Sequence, residues 1–206
     1  MRLPTVLNLQ GSVVIFGSGN VALRKVKFVS KFTTDIIVVG SCRNSIPENV
    51  FVKQCTLDAE NFKNYVPKKT ALVIAALSDM FLNRKIAIWC TANGILVNVV
   101  DDPESSTIIF PALSKEGDIS ITVSTAGSCP FLARMIREEL DVMITEKARW
   151  LEVLAPIRVE LKGDEKKLTI LSKIYADAEI LNNIRAGEME LAKKKARGIY
   201  SVFRKH

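Results

Sequence analysis

The chain has 206 residues, 48% of them hydrophobic; that is enough for one good core with a smaller appendage, and it excludes an intrinsically disordered or low-complexity protein. A formal charge of +7 leaves three uses open: a solvated basic face, an anionic small-molecule substrate, or nucleic acid. Apolar residues near the N-terminus are interrupted at Asn8, Gln10 and Gly11, so no signal peptide reads out, and no run reaches the length of a membrane span.

In chain order, residues 12–16 read as a first strand that breaks into Gly17-Ser18-Gly19-Asn20-Val21-Ala22. This Gly-x-Gly-x-x-Ala turn opens a helix over 21–32, with Val21, Phe28, Val29 and Phe32 recurring at helical spacing. A dinucleotide site needs this arrangement. Gly17 permits the tight turn, Gly19 lets backbone approach a pyrophosphate, and Ala22 is small enough for close helix–strand packing. Residues 34–39 and 50–54 read as strands, and 57–65 as a brief helix ended by Pro67. A fourth strand follows over 70–76. Asp79 or Ser78 caps a helix over 80–92, which stops at Asn93-Gly94. A fifth strand spans 95–100. Alternation of this kind predicts an α/β fold with a parallel sheet covered by helices.

Beyond Asp101-Asp102-Pro103 the pattern changes. Runs 106–111 and 118–124 predict a β-hairpin joined through 114–117. Helices follow over 127–150, 165–175, 177–185 and 188–203. The predicted domains are a nucleotide-binding domain to residue 112, a hairpin-and-helix segment over 113–147 and a helical domain over 148–206. Hairpin edges suit a dimer contact.

In an open parallel sheet the ligand lies beyond the carboxyl ends of the strands, which here are 17–22, 40–43, 76–79 and 98–103. The second segment carries no Asp or Glu for the adenosine ribose. Ser41 and Arg43 hold a 2′-phosphate there, or Arg43 is a surface residue, so NADP stands beside NAD. At the end of the fifth strand Asp101 and Asp102 are candidates for a general base, or for simple turn caps. Loop 124–130, Ser-Thr-Ala-Gly-Ser-Cys-Pro, offers hydroxyls and amides to an anion, or begins a helix with Pro130 in its first turn. The single histidine, His206, gives a serine nucleophile no base elsewhere in the chain. Cys42, Cys55, Cys90 and Cys129 form no Cys-x-x-Cys pair, which predicts reduced cysteines, a cytoplasmic protein and no metal site. Aromatic residues, at 7%, are too sparse for a nucleic-acid stacking platform, and no nucleic-acid motif accompanies the basic tail.

Four segments together resemble the precorrin-2 dehydrogenase family, which includes the dehydrogenase/ferrochelatase module of siroheme synthase. They are Gly-Ser-Gly-Asn-Val-Ala-Leu-Arg-Lys at 17–25, Asn-Val-Val-Asp-Asp-Pro at 98–103, Phe-Pro-Ala at 110–112, and Val-Ser-Thr-Ala-Gly-Ser-Cys-Pro-Phe-Leu-Ala-Arg at 123–134. The resemblance implies a Rossmann domain, a dimerisation segment and a helical domain in a homodimer. It implies NAD-dependent oxidation of precorrin-2 to sirohydrochlorin, with ferrous iron as a second substrate in members that go on to siroheme. The family's aspartate falls on Asp101, with Asp102 beside it on the substrate. Gly17, Ser18, Gly19, Asn20, Val21 and Ser41 would line the cofactor, with Ala76 and Ser78 at its other half. Ser124, Thr125, Gly127 and Ser128 would face the substrate. A non-catalytic nucleotide sensor is the competing reading.

Overall fold

Strand β1, Ser12–Phe16, is buried along its whole length, as a strand covered on both faces must be. In the computed structural model, which describes residues 7–41, 46–47, 50–126 and 128–204, β1 is the centre of a five-stranded parallel sheet. The other elements of this part are α1 (Asn20–Val29), β2 (Ile36–Val39), β3 (Phe51–Lys53), β4 (Thr70–Ala75), α2 (Met80–Ala92) and β5 (Leu96–Val99). Strand order is β3-β2-β1-β4-β5, so the direction of winding reverses between β1 and β4, the switch point where a Rossmann-type sheet opens its crevice.

Alternate residues of β1 feed two cores. Val13 and Ile15 join Ala22, Val26 and Val29 of α1, together with Ile36, Leu72 and Ile74. Val14 and Phe16 join Leu82 and Ile86 of α2, with Phe62, Val73 and Val97. The predicted helix over 57–65 is reduced to a single 3₁₀ turn, Phe62–Tyr65. Asp58 Oδ1 takes the amides of Glu60 and Asn61 at 2.8 Å each, the pattern of a side-chain cap ahead of this turn.

The chain divides into two compact units, Met1–Phe110 and Pro111–His206. The run over 106–111 is not a strand. Within the first unit its hydroxyls cap the outer edge of β5: Thr107 Oγ1 accepts from the Val97 amide and Ser106 Oγ from the Val99 amide, both at 2.8 Å. Side chains thus satisfy an edge that another strand would otherwise pair.

The second unit begins with antiparallel strands β6 (Ala112–Glu116) and β7 (Ile119–Val123). Glu116 opposes Ile119, which moves the turn from the predicted 114–117 to Gly117-Asp118. Helix α3, Pro130–Glu160, then runs for 31 residues, through the predicted boundary at 147/148 and past its predicted end near Trp150. Pro156 lies inside it. Trp150, Val153, Ile157 and Leu161 recur at helical spacing and are buried against α4 (Lys167–Tyr175), α5 (Ala178–Ala186) and α6 (Met189–Arg204), and that burial outweighs the hydrogen bond a proline removes. Among the described residues no helix is long and apolar enough to cross a membrane.

Candidate functional site

The first unit presents three turns beyond the carboxyl ends of β1, β4 and β5. The β1–α1 turn is shaped by backbone proximity. Gly17 has φ 114°, and a Cβ there would lie 2.4 Å from the Ala76 carbonyl oxygen. This contact, more than φ alone, requires glycine. The turn is tied on both sides: the Gly17 amide donates to Val39 O at 2.9 Å, and the Ala76 amide donates to Phe16 O at 2.8 Å.

Gly19 is the N-cap of α1, in extended conformation, with no side-chain hydrogen bond to the helix and no acidic residue in the first turn. A Cβ on Gly19 would meet nothing within 4 Å. Amides at the start of a helix without a side-chain cap, beside open space and the positive end of the dipole, suit an anionic phosphate. The residues present therefore fit a dinucleotide. Asn20 is exposed and Val21 half-buried beside them. Ser18 Oγ donates to the Ser41 carbonyl at 2.9 Å, joining this turn to the end of β2, where Ser41 is exposed. Arg43 lies outside the described residues.

The β4–α2 turn is built the opposite way. Asp79 caps α2 by accepting from the Phe81 amide at 2.9 Å and the Leu82 amide at 3.1 Å. Behind it, Asn83 is 1% exposed and holds Leu77 like a paired peptide, donating to its carbonyl at 2.9 Å and accepting from its amide at 3.1 Å. This rigid support sets Ala76 and the exposed Ser78 at the sheet end. Sequence reasoning missed Asn83, since an asparagine inside a helical run carries no signal of a bond back to the preceding loop.

At the end of β5 two adjacent aspartates have different surroundings. Asp102 is 7% exposed. Its carboxylate accepts from Arg84 Nε at 2.8 Å, Ser105 Oγ at 2.9 Å and the Ser105 amide at 3.2 Å. The Arg84 bond, then those from Ser105, hold this carboxyl below its ordinary range. The expectation that Asp102 contacts substrate is therefore revised: its side chain ties the loop to α2. Asp101 is exposed and has φ 60°, in the left-handed region that side chains other than Gly, Asn and Asp rarely enter. Among the described residues its carboxylate makes no hydrogen bond and no ion pair. An exposed, unengaged carboxylate at the end of a sheet strand is available to act on a ligand bound there. One further acceptor is unsatisfied nearby in sequence. Asn98 is 6% exposed; its Nδ2 donates to Ile108 O at 3.0 Å, while its Oδ1 has no hydrogen-bond partner among the described residues.

Loop 124–129 belongs to the second unit. Ser124 Oγ accepts from the Ala126 amide at 3.2 Å, and Thr125 Oγ1 from the Cys129 amide at 3.1 Å. The Ser128 amide donates to Thr125 O at 2.9 Å. Ala126 has φ 53°, a second non-glycine residue in the left-handed region. Gly127 lies outside the described residues. Cys129 precedes α3 without a side-chain cap bond. Of the other cysteines, Cys90 is buried in the α2-face core, and burial pushes its thiol up to about 12, which makes it inert packing.

Comparison with known proteins agrees with this geometry. A siroheme synthase of Pseudoalteromonas translucida is 30% identical over 195 residues, covering 89% of this chain and 40% of that protein. One from Blochmanniella pennsylvanica is 31% identical over 199 residues, covering 93% of this chain and 42% of that protein. The chain thus spans about two fifths of the length of these curated relatives. A solved structure titled "SirC, precorrin-2 dehydrogenase" superposes with a TM-score of 0.71 at 22% identity, covering 100% of both chains, and so has the same fold. Residues 6–112 match the family described as "Putative NAD(P)-binding", a match over more than half of the chain that includes both the uncapped α1 turn and the Asp101 segment, and the chain belongs to that family.

Proposed function

We propose that the protein is a precorrin-2 dehydrogenase, oxidising precorrin-2 to sirohydrochlorin with NAD. The observation that carries the reading is the exposed, left-handed Asp101 on the same sheet end as an α1 turn built to receive a phosphate. Names given to the siroheme synthases and to the matched structure support the substrate class. Gly17, Ser18, Gly19, Asn20, Val21 and Ser41 would line the cofactor, with Ala76 and Ser78 at its other half. When bound, the nicotinamide supplies a hydride acceptor. Asp101 accepts the proton that leaves the tetrapyrrole as the hydride departs. Ser124, Thr125, Gly127 and Ser128 contribute hydrogen bonds to the substrate's carboxylates, which also give the basic chain an anionic ligand.

The active form in this reading is a homodimer. Helix α3 leaves Phe131, Leu132, Met135, Val142 and Met143 between 38% and 82% exposed, an apolar strip that a second copy would cover. The test is anaerobic incubation with enzymatically generated precorrin-2, comparing NAD with NADP by the tetrapyrrole spectrum, followed by ferrous iron. Sirohydrochlorin formation with concurrent NADH is expected. Siroheme formation faster than the spontaneous reaction would add iron insertion as a second activity. Nucleotide binding without oxidation under either cofactor would replace the reading with a nucleotide sensor.

A further inference from the structure

Arg84 stands in the second turn of α2, at the sheet end where the chain leaves β5 for Asp101 and Asp102. Its Nε donates to Asp102 Oδ2 at 2.8 Å, yet the arginine side chain is 62% exposed and the aspartate side chain 9%. The pair is lopsided: the carboxylate is enclosed, and the guanidinium faces outward. A guanidinium carries five N–H groups in a planar fork, and this one commits only Nε. Among the described residues its Nη1 and Nη2 make no hydrogen bond and no ion pair. Glu104, the next acid on the same loop, is exposed and attracts Arg84 without pairing with it. An arginine at the surface ordinarily samples many rotamers. Here an enclosed carboxylate, itself held by Ser105, fixes the inner edge of the fork and so sets the direction of the outer edge. The clamp is one residue from the exposed Asp101, and consecutive Cα atoms lie about 3.8 Å apart.

We propose that Arg84 binds a carboxylate of the tetrapyrrole through Nη1 and Nη2, with Asp102 as the clamp that holds its fork beside Asp101. The inference rests on the reading of the protein as a precorrin-2 dehydrogenase. It gives the adjacent aspartates linked tasks: Asp101 takes the proton, and Asp102, by way of Arg84, sets where the substrate sits. Two parallel N–H bonds from one guanidinium match a carboxylate in charge and in shape. Because the clamp fixes the side chain before substrate arrives, less rotamer freedom is lost on binding. An ammonium could also pair with Asp102, but as a point charge it has no second planar edge to offer.

Two experiments on the full chain separate this inference from the reading on which it rests. The first needs no turnover: anaerobic titration with sirohydrochlorin, the product, followed by quenching of tryptophan fluorescence. Arg84→Gln and Arg84→Lys should each bind it roughly tenfold more weakly than the parent protein, the scale of a lost charge-assisted contact. Arg84→Lys should keep most of the parent's urea midpoint, since its ammonium still pairs with Asp102. Ser105→Ala loosens the loop and spares the outer edge of the guanidinium, so it should lower the midpoint and leave the affinity as it was. Parent-like affinity in Arg84→Lys, or an equal loss in Ser105→Ala, would mean that only the tie to Asp102 matters and would overturn the proposal. The second experiment uses NAD and precorrin-2. The Arg84 variants should show their loss in KM for precorrin-2 and not in kcat, the mark of a contact made equally in the ground and transition states. A parent protein that binds sirohydrochlorin without oxidising precorrin-2 would sink the proposed reaction, and the binding curves would still decide the role of Arg84. Oxidation by the parent with every variant matching it would overturn the inference alone, and neither binding nor oxidation would overturn both.

Discussion

The two helices that leave the sheet beyond β1 and β4 begin in opposite ways. Helix α2 is closed by its own sequence: Asp79 accepts two of its first amides, and the buried Asn83 pins the preceding loop. Helix α1 begins at Gly19, with no side-chain cap and open space where a side chain would stand. Both turns carry the same backbone requirement, and only one satisfies it internally. A cap contributes about 1 kcal/mol to a helix, so its omission at α1 forgoes stability at the position where an anion would do the same work. The two aspartates after β5 repeat the contrast, since Asp102 is consumed by structure and Asp101 is left available.

This contrast can be broken or sharpened by substitution. The largest effect is expected from Asp101→Asn, which should lower precorrin-2 oxidation by roughly a hundredfold or more, the usual contribution of a general base. NAD affinity, measured by calorimetry, should be unaffected. Gly17→Ala should follow, because its Cβ would sit 2.4 Å from a carbonyl oxygen. A loss of about 3 kcal/mol in urea unfolding is expected from strain of this kind, with nucleotide binding lost as the turn shifts. Gly19→Asp would give α1 the kind of cap that α2 already has. It should leave stability level or raise it by a few tenths of a kcal/mol, yet weaken NAD by roughly tenfold, about 1.4 kcal/mol, through repulsion of the pyrophosphate. The matching change at the other turn, Asp79→Ala, should cost about 1 kcal/mol of stability and leave NAD affinity unaltered.

The smallest effect concerns pH. Arg84 and Ser105 lower the folded-state proton affinity of Asp102, so their contribution to stability is present above the ordinary carboxylate range and is lost as pH falls through the lowered folded value. Arg84→Met should therefore reduce the urea midpoint near neutrality and make no difference in strong acid. An equal reduction at both pH values would assign the effect to packing.

Much of the first unit was legible in the sequence because its signals are local. The apolar run of β4 lies between Pro67 and Asp79, and α2 ends before Asn93-Gly94, so both elements stand close to where periodicity places them. The misreadings have other causes. Ser106 and Thr107 satisfied the edge of β5, so a strand-like run became a cap. At α3 the buried stripe carried the helix across Pro156, which local propensity opposes. For the candidate site, the glycine turn and the Asp101-Asp102 pair could be named from spacing, and the family resemblance singled out Asp101. That Asp102 is held by Arg84, 18 positions away, carried no signal in the pattern.

The measurement closest to the central claim is hydrogen–deuterium exchange of the full chain with and without NAD. The account predicts that NAD protects the amides of residues 17–22 and leaves those of 81–83, already held by Asp79, at their original rates. Saturable NAD binding with no added protection at 17–22, or with equal protection at the start of α2, would contradict it.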